Sequence, residues 1–150
     1  MKYLHNIEMR VFSKEDDNEE LIIKKIKELF PFDFEKEKLV IKRKTSYGFE
    51  DKKIIVFTVF VKKQKHTNLV LKNLFSKLNK EQKDLLLKQL DSRLDETLHF
   101  YLRLDKDKLL KNEYWITDTG NCFHFKFAIA AYPHKRDVAR EIVKEILNLK

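Results

Sequence analysis

The sequence predicts an α+β domain, with a mainly antiparallel sheet and helices packed on one of its faces. Two observations favour this class. Strand-like runs with a period of two occur singly and in pairs, and helix-like runs separate them unevenly. The resulting order is strand, helix, hairpin, two helices, strands and a final helix, which is typical of an antiparallel sheet rather than a doubly wound parallel sheet. One face of such a sheet stays open to solvent or to a partner.

The first strand and the first helix follow from two patterns near the start of the chain. Residues 3–12 alternate apolar and polar side chains, which predicts a half-buried strand. The acidic run SKEDDNEE then opens a helix in which Asp16 and Asp17 are suitable N-caps. Apolar residues recur at helical spacing until Pro31 ends the helix.

A basic hairpin is predicted next, because residues 38–45 and 52–63 are strand-like runs joined by SYGFED. Residues 36–66 contain ten basic and three acidic residues, so they carry +7 of the chain's net charge of +8. Concentrated positive charge attracts polyanions. Tyr47 and Phe49 would lie at the hairpin tip. The hairpin cations expected to contact phosphates are Lys42, Arg43, Lys44, Lys52, Lys53, Lys62 and Lys63.

The rest of the chain adds helices and strands with equally regular patterns. They are helices at residues 68–78 and 80–94, strands at 97–106, 113–117 and 122–131, and a closing helix at 135–149. Asn79 and Gln82 have the spacing of a capping box at the start of the second of these helices. We expect one domain over residues 1–150, since this length supports a single core.

Composition excludes several functional classes. No window approaches the ~18 apolar residues of a membrane span. The lone Cys122 forms no internal disulfide, which favours a reducing, cytoplasmic environment. With only Gly48 and Gly120, the chain cannot build a phosphate-binding glycine loop or a dinucleotide fingerprint. We therefore expect no membrane association and no cofactor.

Two catalytic hypotheses arise from motifs. Asp118-Thr119-Gly120 has the form of an aspartic protease triplet, but it occurs once and is followed by Asn121, so a turn between two hairpin strands is the preferred interpretation. His99 and His124 lie on predicted strands that can be neighbours, which leaves open a hydrolase or nuclease that also uses carboxylates. The histidines are dispersed, so no metal site is predicted and a non-enzyme is expected.

Three segments resemble a known family: HNIEMRVF, LDETLHFYLRLDK and AAYPHKRDVAREIV, at residues 5–12, 94–106 and 130–143. In this order they are similar to an archaeal family of small RNA-binding proteins described as predicted exosome-associated subunits. The resemblance implies the fold of the ribosomal protein that holds five-S ribosomal RNA, an antiparallel sheet with helices on one side.

The resemblance also implies site residues. Tyr101, Arg103 and Lys106 match positions that would face RNA, and Lys135 and Arg136 open the last helix, where a helix N-terminus favours a phosphate. We therefore expect a non-catalytic RNA-binding protein, accessory to RNA processing or degradation or related to the ribosome. The alternative is a protein-interaction module, either a homodimer or a subunit of a larger complex, and the two can coexist.

Overall fold

The computed structural model of the protein describes residues 1–150 and contains five strands and six helices. The strands are β1 (Leu4–Lys14), β2 (Lys42–Tyr47), β3 (Lys53–Val61), β4 (His99–Asp105) and β5 (Cys122–Ile129). The helices are α1 (Glu19–Leu29), α2 (Gln64–Lys77), α3 (Lys80–Lys88), α4 (Leu90–Arg93), α5 (Lys106–Leu110) and α6 (Arg136–Leu147). None of these helices has the length and apolarity needed to cross a bilayer.

The five strands form one sheet in the order β2-β3-β1-β5-β4, and every neighbouring pair is antiparallel. β1 is the central strand because it pairs with β3 on one side and with β5 on the other. The predicted α+β class with an antiparallel sheet is confirmed. Neither neighbour of β1 in the sheet is its neighbour in sequence, so long-range pairing builds the middle of the sheet.

The core lies between one face of the sheet and the helices. Period-two alternation turns Met9 of β1, Phe57 of β3 and Phe125 of β5 to this face, where each is at most 1% exposed. The buried apolar side chains of the helices join them in one continuous cluster. Burial of aromatic and aliphatic side chains on this scale is the main favourable contribution to folding.

Helix starts agree only in part with the predicted caps. Asn18 caps α1, since its side chain accepts a hydrogen bond from Leu21 N–H, so the prediction of Asp16 or Asp17 was wrong. Asn79 caps α3 as predicted, accepting from Gln82 N–H at 2.9 Å. The Gln82 side chain does not complete a capping box, because its oxygen accepts from Ile116 N–H at 2.7 Å instead.

The predicted strand at residues 113–117 does not form. Only Ile116 makes a bridge, with Leu104, and Thr117 N–H donates to the Arg103 carbonyl at 3.0 Å. This segment therefore runs along the outer edge of β4. Residues 118–121 then cross the end of β4 to reach β5, which lies between β4 and β1. Asp118-Thr119-Gly120 is a bend in this connection, not the tight turn of a hairpin.

Candidate nucleic-acid interface

The sheet face directed away from the core is the candidate functional surface, and we call it the open face. Its side chains are Asn6, Glu8, Arg10, Phe12 and Lys14 of β1, Lys42, Lys44 and Ser46 of β2, Ile54, Val56, Thr58 and Phe60 of β3, His99, Tyr101, Arg103 and Asp105 of β4, and Cys122, His124, Lys126 and Ala128 of β5. All except Cys122 and Ala128 are exposed or half-buried. Six of them are Lys or Arg and two are carboxylates, so the open face is positively charged.

A row of side chains crosses the open face from one edge of the sheet to the other. Lys42 is paired with Thr58, Thr58 with Arg10, Arg10 with His124, and His124 with Arg103. Neighbouring strands lie ~4.8 Å apart, so the backbone positions of consecutive cations in the row are about 9.5 Å apart. We call these five residues the cationic row. It offers a polyanion three positive charges along a single line.

Aromatic rings lie beside the cationic row. Phe12 is 40% exposed and Phe60 is 47% exposed, although β1 and β3 are both interior strands of the sheet. Tyr101 stacks on His124 with ring centroids 5.7 Å apart. The Tyr101 hydroxyl donates to the Asp95 carboxylate at 2.8 Å, and burial together with this hydrogen bond raises the pKa of Tyr101 to about 12. The Tyr101 ring is therefore held in a fixed orientation.

His124 is neutral at pH 7 because its surroundings oppose a positive charge. Burial lowers the pKa of His124 below its ordinary value, and the charges of Arg103 and Arg10 lower it further. A neutral imidazole in the middle of the row can stack and can accept or donate one hydrogen bond. Its protonation depends on the two cations beside it, so an anion bound to them would change its pKa.

The two strand histidines do not form a catalytic pair. His99 of β4 is opposite Ala128 of β5, and His124 of β5 is opposite Arg103 of β4. The two histidines are therefore four positions apart along the strands. The His99 ring nitrogen Nδ1 lies 2.7 Å from the Thr97 hydroxyl. No group of three or more His, Cys, Asp or Glu side chains could hold a metal ion. The hydrolase hypothesis therefore gains no geometric support.

The predicted basic hairpin divides between the two faces of the sheet. Lys42 and Lys44 lie on the open face, whereas Arg43 and Lys53 alternate to the helix face. There the Arg43 Nε donates to Glu19 at the start of α1, at 2.6 Å, and this hydrogen bond raises the pKa of Arg43. Only β2 therefore contributes hairpin cations to the open face, because side chains alternate along a strand.

The three hairpin cations outside the strands are on the surface. Lys52, Lys62 and Lys63 are exposed beside the ends of β3. At the hairpin tip, Tyr47 is 70% exposed and Phe49 is 89% exposed, as predicted.

Lys106 is not on the surface, contrary to the prediction that it faces RNA. It is 2% exposed, and its ammonium donates to the Phe12 carbonyl at 2.9 Å and to the Asp17 carboxylate at 2.7 Å. The chain turns from β4 into α5 at this residue, and the turn directs the side chain under the end of β1. Lys106 therefore connects β1, the start of α1 and α5.

Arg136, the first residue of α6, makes its hydrogen bonds within the protein. Arg136 donates to the backbone carbonyls of Leu94 and Asp91, at 3.0 and 2.8 Å, so it anchors α6 to α4 and to the residue that ends it. Lys135 is exposed at the N-cap position of α6 and makes no capping hydrogen bond with its side chain. Of the two residues, Lys135 alone has a side chain free of protein partners.

Several residues of the open face were not among the predicted site residues. Arg10 and Lys126 supply charge at its centre, and Phe12 and Phe60 supply exposed rings. The alternation of β1 and β5 already placed Arg10 and Lys126 on the polar side of their strands. What the alternation could not show is that these two strands are neighbours.

Comparisons with known proteins agree on one family. The model of a family described as RNA binding matches residues 6–129. RNA-binding protein PAB1135 of Pyrococcus abyssi is 26% identical over 143 residues, which cover 95% of this chain and 93% of that protein. The whole open face lies within the matched residues.

Solved structures of archaeal proteins show the same fold. Mth689 of Methanothermobacter thermautotrophicus, described as a DUF54 protein, has a TM-score of 0.77 and 25% identity, covering 97% of this chain and 99% of that chain. AF2318 of Archaeglobus fulgidus has a TM-score of 0.81 and 23% identity, covering 95% and 99%. The arrangement of sheet and helices is therefore common to these proteins.

Proposed function

The chain belongs to the RNA-binding family whose model matches residues 6–129, and we propose on that premise that it is a non-catalytic RNA-binding protein whose open face contacts the RNA. The observation that carries this proposal is the cationic row, in which Lys42, Arg10 and Arg103 cross all five strands. Positive side chains in line neutralise successive phosphates and release their counterions, which drives association.

The exposed rings favour unpaired RNA as the ligand. Phe12 and Phe60 flank the row, and unpaired bases stack on exposed aromatic faces in many RNA-binding sheets. Such stacking tolerates any base, so the row and the rings together account for binding with little sequence preference. A duplex keeps its bases stacked on one another and offers only its backbone to the same surface.

Fluorescence anisotropy with labelled RNA tests the proposal. A mixed-sequence single strand of about 15 nucleotides and a duplex of the same length are titrated at low and near-physiological salt, after nuclease treatment and repurification of the protein. We expect the single strand to bind more tightly and its affinity to fall steeply with salt. If neither RNA binds at low salt, the proposed function is wrong.

RNA affinity is expected to rise as the pH falls from 8 to 6. A bound phosphate near Arg10 and Arg103 offsets the charges that lower the pKa of His124, so this pKa is higher in the complex and binding takes up a proton. The gain is complete only below the pKa of His124 in the free protein, which lies under its ordinary value, so the affinity should rise most steeply towards the acid end of this range. Anisotropy across this pH range checks the effect.

His124→Gln is the control for this pH dependence. It keeps a polar side chain in the row but removes the titrating group, so the affinity should change less with pH. An unchanged pH dependence in this variant would assign the effect to the other histidines and would remove His124 from the interface.

The cellular complex in which the protein binds RNA is the subject of a narrower proposal. The resemblance to exosome-associated and ribosome-related proteins supports a role in RNA processing or in a ribosomal particle. Purification of the tagged protein from its native cells, followed by sequencing of bound RNA and mass spectrometry of bound proteins, distinguishes these clients. Recovery of exosome subunits with RNA fragments supports the first, and recovery of ribosomal RNA and proteins supports the second.

Assembly with another chain is the second candidate function. β2 is an edge strand that pairs only with β3, and all six of its residues are exposed. A second copy of β2 would line the shared edge with its own Lys42, Arg43 and Lys44, and this added positive charge disfavours a homodimer through this edge. Light scattering checks this directly, because a monomer has a mass of 18.2 kDa.

A further inference from the structure

A cavity at the β4 edge of the open face brings two arginines together. It has a volume of about 440 Å³, and its lining residues are Gln89, Ser92, Arg93, Tyr101, Arg103 and Asp118. Three separate parts of the chain contribute to it: the segment around α4, β4, and the connection before β5. The cavity adjoins the Arg103 end of the cationic row.

Arg93 is held rigidly on the wall of this cavity. Its side chain is only 10% exposed, and its Nε and Nη2 donate to the Gln89 side-chain oxygen at 2.9 and 2.7 Å. The Nη1 group makes no hydrogen bond within the protein. A fixed guanidinium with free donors loses little conformational entropy when it binds an oxyanion.

Arg93 and Arg103 both contact Asp118, through its carboxylate and its backbone carbonyl respectively. Asp118 approaches Arg93 with a carboxylate-to-Nη2 distance of 3.6 Å, and its backbone carbonyl accepts from Arg103 at 3.2 Å. Burial lowers the pKa of Arg93, and the charge of Arg103 lowers it too, whereas Asp118 raises it. Among the residues that line the cavity, two guanidiniums are therefore accompanied by one carboxylate, that of Asp118.

Asp118 is a weak partner for the positive charge of the two guanidiniums. Its side chain is 90% exposed, and an ion pair at 3.6 Å with such an exposed partner contributes little. A group with more charge and more oxygens, placed between the two guanidiniums, would replace it. Arginine pairs bind phosphate in this way because each guanidinium can donate two parallel hydrogen bonds.

We propose that the cavity of Arg93 and Arg103 binds the terminal monophosphate of an RNA strand, with Asp118 as the carboxylate that the phosphate displaces. The proposal rests on the proposed RNA binding, since the cavity lies where a strand on the cationic row would end. A terminal monophosphate carries nearly two negative charges, whereas an internal phosphodiester carries one. The terminal group therefore competes better with the Asp118 carboxylate for the two arginines. In this proposal Asp118, the first residue of Asp118-Thr119-Gly120, favours terminal phosphates over internal ones.

The test compares single strands that differ only at their ends. Labelled oligonucleotides with a 5′-phosphate, a 3′-phosphate or hydroxyl groups at both ends are titrated by anisotropy. We expect one phosphorylated form to bind roughly tenfold more tightly than the hydroxyl form. The preferred end gives the direction of the strand across the sheet.

Two variants assign this preference to the cavity. Arg93→Gln should abolish the preference while affinity for the hydroxyl form stays within about twofold, and Asp118→Asn should strengthen the preference by roughly threefold because the competing charge is gone. Lys88→Gln on α3 is the charge-matched control and should change neither quantity. Equal binding of all three oligonucleotides by the native protein and by Asp118→Asn would overturn the proposal.

Inorganic phosphate provides a measurement that does not depend on RNA. Phosphate should shift the NMR resonances of the Arg93 side chain and the Asp118 amide in the native protein, and the Asp118 shift should be lost in Arg93→Gln. If no RNA binds but these shifts occur, the cavity is a phosphate site and the proposed RNA binding is what fails. If RNA binds without end preference and phosphate causes no shift, the cavity proposal fails alone.

Discussion

Replacing Arg10, Lys42 and Lys126 with glutamine is expected to weaken binding of single-stranded RNA by about 10- to 100-fold at low salt. The three side chains lie on β1, β2 and β5, and all face the open side of the sheet. Each phosphate contact on a single strand contributes ~0.7 to the slope of log affinity against log salt, so the slope should decrease by about 2. Anisotropy at four or five salt concentrations measures both quantities.

A second triple variant separates the surface from the net charge. Lys24, Lys80 and Lys88 are exposed on α1 and α3, and their replacement by glutamine removes the same three charges from the helix side of the protein. This control should keep the native slope and nearly the native affinity. Equal losses in the two variants would show that total charge drives binding, and the open face would then have no special role.

Lys106→Ala is expected to lower the free energy of unfolding by roughly 3 kcal/mol. The substitution leaves the Phe12 carbonyl without its buried donor and removes the cation that pairs with Asp17, and it deletes most of a buried side chain. The estimate is at the lower end of the range for broken buried pairs because the Asp17 side chain keeps 22% exposure. Urea denaturation followed by Trp115 fluorescence and by circular dichroism gives the value.

The Lys106 pair also predicts how stability depends on pH. Burial alone would raise the pKa of Asp17, but the hydrogen bonds from Lys106 and from the Lys14 N–H lower it below its ordinary value. The stabilisation from Asp17 is therefore complete above the unfolded pKa near 4 and is lost as the pH falls through the lower, folded pKa. Lys106→Met keeps an apolar stem in place and should flatten this acid dependence.

RNA affinity in the same variants tests where Lys106 acts. Well below the unfolding temperature, Lys106→Met should bind RNA as the native protein does, because the ammonium is buried away from the open face. Lys111→Ala, which removes an exposed lysine just after α5, is the matched control for stability and should change it by less than about 0.5 kcal/mol. A loss of RNA affinity in Lys106→Met without a loss of stability would restore the role expected from the family resemblance.

Local patterns were sufficient to predict most of the elements. The alternation in residues 97–106 predicted β4 and its buried side chains, since a strand between core and solvent must alternate. Asn79 predicted the start of α3, because a capping side chain acts within one turn. The predictions for Asp17 and for residues 113–117 were wrong for a common reason, which is a partner distant in sequence. Lys106 donates to the Asp17 carboxylate that was predicted to cap α1, and residues 116 and 117 contact β4 instead of forming a hairpin strand with β5.

The α+β class, most helices and strands, and the excess of positive charge could be read from the amino-acid order, because they depend on the order and spacing of neighbouring residues. Which cations share a surface depends on the packed sheet. The strand order places Arg10 between Lys42 and Arg103, buries Lys106, and brings Arg93 to Asp118. These arrangements depend on strand pairing and packing between distant segments, whose energies no local pattern records.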